Sequence, residues 1–441
     1  MKKIIISGTS SRSGKTTVTC ALLASLRKRG LKICAYKTGP DYIDTEYLRR
    51  AGKCRAYNLD TWLMNENSTL ELFSMTSNSC DVAVIEGAMG LFDGGCNSTA
   101  RIAELLDSPV ILVINAKSAG ESVAATAMGF CEYDKNIKIS GVILNCTASE
   151  YHEKIIADAL NEKGIKFLGA LRRNGDISIS ERHLGLINAN ENKNFDFERL
   201  RIEFENNVNV EEILRISGDF RPCVRALKPE KKYNVSIGVA RDDAFTFYYP
   251  ESLKFLEELG AKIIYFSPLN DDKLPAADGY IFGGGFPEIF AEQLSSNSSM
   301  LKSVRDCRKP LLSECGGMMY LCRSIKNSDG QKFSMAEAIP FDSYMTEKAV
   351  TGYMTGRALR DNILCSKGSV IRGHEFHYSR IEPEISRDCD TCAFEFTRRN
   401  TEISRYGGYS KNNILASYLH VNFFGNAEIS EKFLQSLQSS S

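Results

Sequence analysis

The sequence predicts an α/β protein with an N-terminal P-loop domain built on a parallel sheet and a second α/β domain after it. Three observations predict this. Short apolar runs alternate with amphipathic stretches through the first half of the chain. A serine-rich turn ending in Gly14-Lys15-Thr16-Thr17 follows the first run. The same strand and helix rhythm restarts near residue 233 after a polar interruption. At 441 residues, 43% hydrophobic and 25% charged, the chain has ordinary globular composition and enough length for two cores.

The runs at 3–6, 32–36, 82–85, 110–114, 141–144 and 167–171 read as buried strands, because a strand covered on both faces is continuously apolar. Residues 18–29 read as an amphipathic helix. Between about 188 and 221 the chain turns polar, and Arg221-Pro222 and Lys228-Pro229 follow. The linker is therefore expected at 221–232, dividing a domain at 1–220 from one at 233–441. Beyond it, strands are expected at 235–239, 262–266, 279–282 and 310–313, with a helix over 251–259.

Lys plus Arg and Asp plus Glu each number 55, so no basic excess favours a nucleic-acid partner. No apolar run is long enough for a signal-peptide core or a bilayer span, which predicts a cytoplasmic protein with no membrane partner. The 14 cysteines lack the dense spacing of a disulfide scaffold and fit a reducing compartment, most of them as buried thiols. Cys389 and Cys392 form a CxxC without a second Cys or His pair at metal spacing, and we read it as coincidental.

The segment from Gly8 to Thr17 has the setting of a phosphate-binding loop. Small residues let the backbone of Ser11, Arg12, Ser13 and Gly14 curl with its N–H groups inward, and the following helix adds its positive end. Lys15 would reach the β- and γ-phosphates of ATP, with Thr16 on magnesium and Thr17 completing the loop. The competing reading is a strand-to-helix turn with a surface lysine. The leading glycine stands one position earlier than in the strict P-loop pattern, and in this the loop resembles the dethiobiotin-synthetase-like branch of P-loop enzymes, which activate carboxylates with ATP. Arg12 stands where many of those have glycine.

Magnesium takes one or two carboxylates along with waters and phosphate oxygens. Asp41 and Glu86 follow the second and third predicted strands, and ligands of open parallel sheets bind beyond the carboxyl ends of strands. They are the candidate metal ligands with Thr16. The alternative is that Asp41 caps a turn and Glu86 merely ends a strand.

The segments KTGPDYID (37–44), NLDTW (58–62), EGAMGLFDG (86–94) and ERHLGL (181–186) closely resemble signatures of the cobyrinic acid a,c-diamide synthases. The resemblance implies a dethiobiotin-synthetase-like first domain, magnesium on Asp41 and Glu86, and Tyr42 and Asp93 against the corrinoid acid. Thr45 and Leu48 depart from it, standing where many relatives have Pro and His.

In the second half, the predicted strand at 310–313 runs into Glu314-Cys315-Gly316-Gly317 and a helix-like stretch. A cysteine at such a turn resembles a nucleophile elbow, so Cys315 is the candidate nucleophile over a merely packed thiol. Gly284 and Gly285, after another strand, would supply an oxyanion site with the N–H of Gly316. His420, at a strand end near the C-terminus, is the candidate base, with His374 and His377 as competitors. This half resembles the class I glutamine amidotransferases of the cobyrinic and cobyric acid synthase branch. Many of those place a Glu two residues after the histidine; Asn422 stands there, leaving the third member of the triad open.

Together these resemblances imply an ATP-dependent ligase that forms amides on the a and c acetate groups of cobyrinic acid with ammonia from glutamine, in cobalamin biosynthesis. Hydrogenobyrinic acid and nickel-sirohydrochlorin are alternative substrates. The implied partners are small molecules, with a homodimer allowed for. From another class, a ParA/MinD-type nucleotide switch with an idle second domain is the competitor. Ser10 stands where that group has an additional lysine.

Overall fold

The computed structural model describes residues 1–173, 195–221 and 232–439, with the backbone of 181–182 and 185–186. The chain divides into two compact units, Met1–Ala226 and Leu227–Ser441. Most of the predicted linker, residues 222–231, and all but the two short backbone pieces of 174–194 lie outside the described residues.

In the first unit the elements run β1 (Lys2–Gly8), α1 (Lys15–Lys28), β2 (Ile33–Thr38), α2 (Ile43–Gly52), β3 (Ala56–Leu59), α3 (Thr61–Ser77), β4 (Val82–Glu86), α4 (Thr99–Leu106), β5 (Val110–Asn115), α5 (Ser122–Tyr133), β6 (Ile139–Thr147), α6 (Glu150–Glu162) and β7 (Phe167–Arg172). The strand order is β3-β2-β4-β1-β5-β6-β7, all parallel. After β8 (Glu181–Arg182) and β9 (Gly185–Leu186), a small antiparallel pair within the ERHLGL signature, come α7 (Phe197–Asn207), α8 (Val210–Ile216) and β10 (Gly218–Asp219). β10 returns antiparallel to the start of β1.

The six predicted strands are present. β3 escaped notice because its four residues, Ala56–Leu59, include the polar Asn58. Ile4, Ile5 and Ile6 are all fully buried, as expected for a central parallel strand, and α1 covers one face through Val18, Ala21, Leu22 and Leu26. Each buried Ile, Leu or Val among them contributes roughly 1.5–3 kcal/mol. The crossovers reverse direction at β1, placing the loop after β1 and the end of β4 side by side where an open sheet binds ligands.

The second unit contains β11 (Val235–Ala240), β12 (Phe245–Phe247), α9 (Pro250–Glu258), β13 (Ala261–Phe266), β14 (Gly279–Phe282), β15 (Gly284–Gly285), α10 (Ala291–Ser296), α11 (Ser298–Arg305), β16 (Leu311–Glu314) and α12 (Gly316–Leu321). Then follow β17 (Ser324–Lys326), β18 (Lys332–Ser334), β19 (Asp342–Ala358), β20 (Val370–Glu382), β21 (Cys392–Arg398), β22 (Ser404–Lys411), β23 (Ile414–Ser417), β24 (His420–Val421) and α13 (Ala427–Gln438). The order β13-β11-β14-β16-β23 is parallel and carries the predicted strands. A largely antiparallel extension through β22, β21, β19 and β20 was not foreseen, since its half-polar strands lack the continuous apolar signal.

The expectation of mostly buried thiols is corrected. Of the free cysteines among the described residues, Cys20, Cys315, Cys322, Cys365 and Cys392 are buried, five are half-buried and Cys96 is exposed. Cys34 and Cys80, with Cα atoms 6.1 Å apart, form a disulfide. Cys389 contacts Thr391 and Cys392 faces backbone carbonyls. No helix among the described residues is long and apolar enough to cross a membrane.

Candidate active sites

In the first unit the turn after β1 requires left-handed backbone at Arg12 (φ 61°) and Gly14 (φ 94°). Glycine takes that conformation without strain. A Cβ on Gly8 would lie 2.1 Å from Ser13 Oγ, and one on Gly14 would lie 1.9 Å from Asn145 Nδ2, so a side chain at either position would push Ser13 or Asn145 aside. Asn145, at the end of β6, donates to the carbonyl of Ser13 at 3.1 Å and braces the turn. Ser11 and Arg12 are exposed, while Ser13 and Lys15 are buried.

Lys15 Nζ donates to the carbonyl of Ser10 at 2.9 Å, so the loop curls around its own lysine. Burial and the Lys37 charge push the Lys15 ammonium down to about 8, against the pull of Glu86 and Asp44. Thr16 Oγ1 donates to Glu86 Oε1 at 2.6 Å. Glu86 is fully buried and its second oxygen, Oε2, has no hydrogen-bond partner. Lys37 donates to Glu86 Oε1 at 2.8 Å and forms a close ion pair with Asp44. Burial alone would lower Lys37, but Asp44, Glu86 and Asp41 hold it charged.

Asp41 Oδ1 accepts the N–H groups of Ile43 and Asp44 at 2.9 Å each, the capping geometry weighed as the alternative. It also sits in the charge field of the site: burial, then Asp44, push it up to about 7. Asn58 holds this loop through the carbonyls of Gly39 and Asp41, and Asp60 caps α3, which accounts for the NLDTW segment. Tyr42 precedes α2 and is half-buried; Asp93 is exposed and accepts the Gly90 N–H at 2.8 Å. Lys37, Asp44 and Asn145 were given no role from sequence. A lysine inside an apolar strand was the available signal for Lys37, and nothing marked Asn145.

In the second unit Cys315 stands between β16 and α12 with φ 49° and ψ −105°, a strained conformation for a residue with a side chain. Its N–H donates to the carbonyl of Ser417 at 2.8 Å, and its thiol faces the carbonyl of Phe376 at 3.7 Å. Glycines crowd it of necessity. A Cβ on Gly284 would lie 2.6 Å from His420 Cε1, one on Gly316 would lie 3.1 Å from Gly285 N, and one on Gly317 would lie 2.2 Å from the Phe282 carbonyl oxygen. The backbone of Gly285 therefore lies close against Gly316, the residue that follows Cys315.

His420 is wholly buried, with Nδ1 3.4 Å from Glu314 Oε2. Burial opposes its protonation, but the Cys315 thiol and the Glu314 carboxylate outweigh it and push the imidazole up to about 10. Glu314 Oε1 accepts the Val421 N–H at 3.1 Å, fixing the carboxylate beside β24. Asn422 is turned elsewhere, donating to Glu251 Oε1 at 2.8 Å. The carboxylate beside His420 Nδ1 thus belongs to the residue immediately before Cys315. His374 lies opposite His420 in the β20–β24 register, and burial pushes it down to about 3. His377 donates from Nδ1 to the Ser379 carbonyl, 2.8 Å away, and stacks on Tyr418 with the ring centroids 3.8 Å apart.

Residues 4–187 match the family described as the CobQ/CobB/MinD/ParA nucleotide binding domain, and residues 236–428 match the CobB/CobQ-like glutamine amidotransferase domain. The chain is 39% identical over 445 residues to a protein of Caldanaerobacter subterraneus subsp. tengcongensis named cobyrinate a,c-diamide synthase, covering 98% of this chain and 97% of that one. Proteins of the same name from Picrophilus torridus (39% over 449 residues, 99% of each chain) and Leptospira interrogans serogroup Icterohaemorrhagiae serovar copenhageni (38% over 451 residues, 98% of each) are similar to it as well.

Proposed function

The chain belongs to the cobyrinate a,c-diamide synthase family, and from that premise we propose how its two units divide one ATP-dependent, glutamine-using amidation. The first unit activates a carboxylate of the corrinoid acid with ATP; the second releases ammonia from glutamine. The observation that carries this reading is that one chain holds both a lysine-bearing phosphate loop against a buried carboxylate and a cysteine–imidazole–carboxylate series.

A carboxylate lacks a leaving group that ammonia can displace, so ATP must supply one. Lys15 stabilises the charge on the γ-phosphoryl group as it passes to the substrate carboxylate, giving an acyl phosphate that ammonia then opens to the amide. Thr16, Glu86 and Asp41 would hold a magnesium ion; the buried, unpartnered Oε2 of Glu86, whose Oε1 accepts from Thr16 Oγ1, fits such an ion. The ion supplies positive charge to the phosphates. No cluster of three or more His, Cys, Asp or Glu side chains suited to a metal occurs among the described residues, but a nucleotide-bound magnesium needs fewer, taking phosphate oxygens and waters. Tyr42 and Asp93 face the corrinoid acid in this reading.

In the second unit, Cys315 attacks the carboxamide carbon of glutamine, with the backbone N–H groups of Gly284, Gly285 and Gly316 available to the developing oxyanion. His420 carries the proton taken from the thiol and delivers it to the departing amide nitrogen, which leaves as ammonia; water then hydrolyses the thioester. Glu314 holds the imidazole by Nδ1 and stabilises its charged form.

The test is mass spectrometry of cobyrinic acid, hydrogenobyrinic acid and nickel-sirohydrochlorin after incubation with the protein, ATP, magnesium and glutamine. A mass change of two amidations on cobyrinic acid is expected. ATP hydrolysis without an amide on any of the three would favour a nucleotide switch instead.

A further inference from the structure

Gly283, Gly284 and Gly285 carry no side chain that could anchor the turn after β14, and glycine is the residue least restrained by its own backbone. Donors that meet a developing charge must nevertheless be fixed before it forms. The segment after β11 supplies the anchor. Asp242 Oδ1 accepts the N–H groups of Ala244 and Phe245 at 2.9 and 3.2 Å, which shapes the loop into β12. β12 then pairs with the turn, Phe245 opposite Gly285 and Phe247 opposite Gly284.

Tyr248 follows β12 directly. Its hydroxyl accepts the Gly283 N–H at 2.9 Å and donates, in a close contact, to the carbonyl of Ala240, the last residue of β11. The ring lies against the same glycine, since a Cβ on Gly283 would lie 2.6 Å from Tyr248 Cε1. Burial pushes the phenol well above its ordinary value against the Gly283 N–H, with the charges of Glu314 and Asp242 adding to it, so the hydroxyl keeps the proton it donates. Gly283 is held from its other end as well: its carbonyl accepts the Gly317 N–H at 2.9 Å, two residues beyond Cys315. Tyr248 thus ties the end of β11 to the glycine turn and, through Gly283, to the first turn of α12.

Gly284 comes next, where a Cβ would lie 2.6 Å from His420 Cε1, and a Cβ on Gly316 would lie 3.1 Å from the Gly285 nitrogen. The geometry points to Tyr248 as a positioning residue for the oxyanion site: its hydroxyl holds Gly283 so that the peptides after it meet the amide oxygen of glutamine as that oxygen gains charge. Tyr248 acts through the backbone and not on the reacting atoms. This rests on the reading of Cys315 as the glutamine nucleophile and of the glycine turn as its oxyanion site. Because the oxyanion forms only on the way to the transition state, the hydroxyl should matter to kcat and hardly to KM.

The experiment uses Tyr248→Phe in the full chain, which removes the hydroxyl and keeps the ring. Ammonia release from glutamine gives kcat and KM. Alkylation of Cys315 by iodoacetamide as a function of pH, read by mass spectrometry of the peptide that contains it, reports on the thiol, His420 and Glu314 without forming an oxyanion. We expect kcat to fall about 10- to 100-fold, short of the roughly 100- to 1,000-fold that outright loss of an oxyanion donor costs, with KM unchanged. The alkylation profile should match wild type, which also shows that the second unit is folded. An unchanged kcat would overturn the assignment. So would an alkylation profile that shifts along with kcat, since the hydroxyl would then support the cysteine and histidine themselves. Wild-type protein that releases no ammonia from glutamine while making amide from ammonium salts would instead overturn the reading on which the assignment rests.

Discussion

Glu314 Oε2 lies 3.4 Å from Nδ1 of His420, and the same carboxylate is anchored by the Val421 N–H. The carboxylate beside His420 thus comes from the residue before Cys315, while the position two residues after the histidine is occupied by Asn422, which donates to Glu251.

Replacing Glu314 by Gln keeps the shape and removes the charge. His420 is raised above its ordinary 6.5 to about 10 by Cys315 and Glu314 against the pull of burial, so its protonated form persists below that value and is lost as pH rises through it. The variant should lose glutamine-dependent synthesis by about 100-fold or more, as when an orienting carboxylate is lost, and its alkaline limit should move to lower pH. A pH–rate profile with glutamine measures both; an unshifted alkaline limb would remove Glu314 from the series.

Asn422→Ala should act on stability. It leaves Glu251, 1% exposed, without the Asn422 amide, and a buried group deprived of its partner costs about 1–3 kcal/mol. Urea unfolding should report that loss while glutamine KM and the pH profile of folded protein stay as in wild type. A changed pH profile would return Asn422 to the reaction.

Glu86→Gln removes the anionic oxygen beside Thr16 and leaves Lys37 with Asp44 as its remaining close carboxylate partner. The magnesium concentration for half-maximal synthesis should rise by about tenfold or more, the scale of losing a hard ligand or its support. Asp41→Asn should raise it less, since Asp41 Oδ1 is already occupied by two backbone N–H groups. Identical magnesium titrations in wild type and both variants would make these residues purely structural.

The phosphate loop and the cysteine elbow were legible because each depends on local backbone: Gly8, Gly14, Gly316 and Gly317 stand where a Cβ would collide. Parallel strands such as Ile4–Ile6 were legible because burial on both faces leaves a continuous apolar run. What escaped was set by register between distant segments. Asn145 meets Ser13 132 residues away, Glu314 meets His420 across β24, and Glu375 is paired with Arg405 on another strand. Side chains on half-polar antiparallel strands carry no mark of which face turns inward.

The central claim is that carboxylate activation and ammonia release belong to separate chemistries, one at Lys15 and one at Cys315. It is tested by diamide yield from cobyrinic acid with glutamine and with ammonium chloride at mildly alkaline pH, for Cys315→Ser and Lys15→Ala. Cys315→Ser should fail with glutamine, since a hydroxyl is a far weaker nucleophile here, and should match wild type with ammonium chloride. Lys15→Ala should fail with both, having lost the charge that steadies the transferring phosphoryl group. Folded Cys315→Ser protein that fails with both nitrogen donors, or Lys15→Ala protein that works with either, would contradict the account.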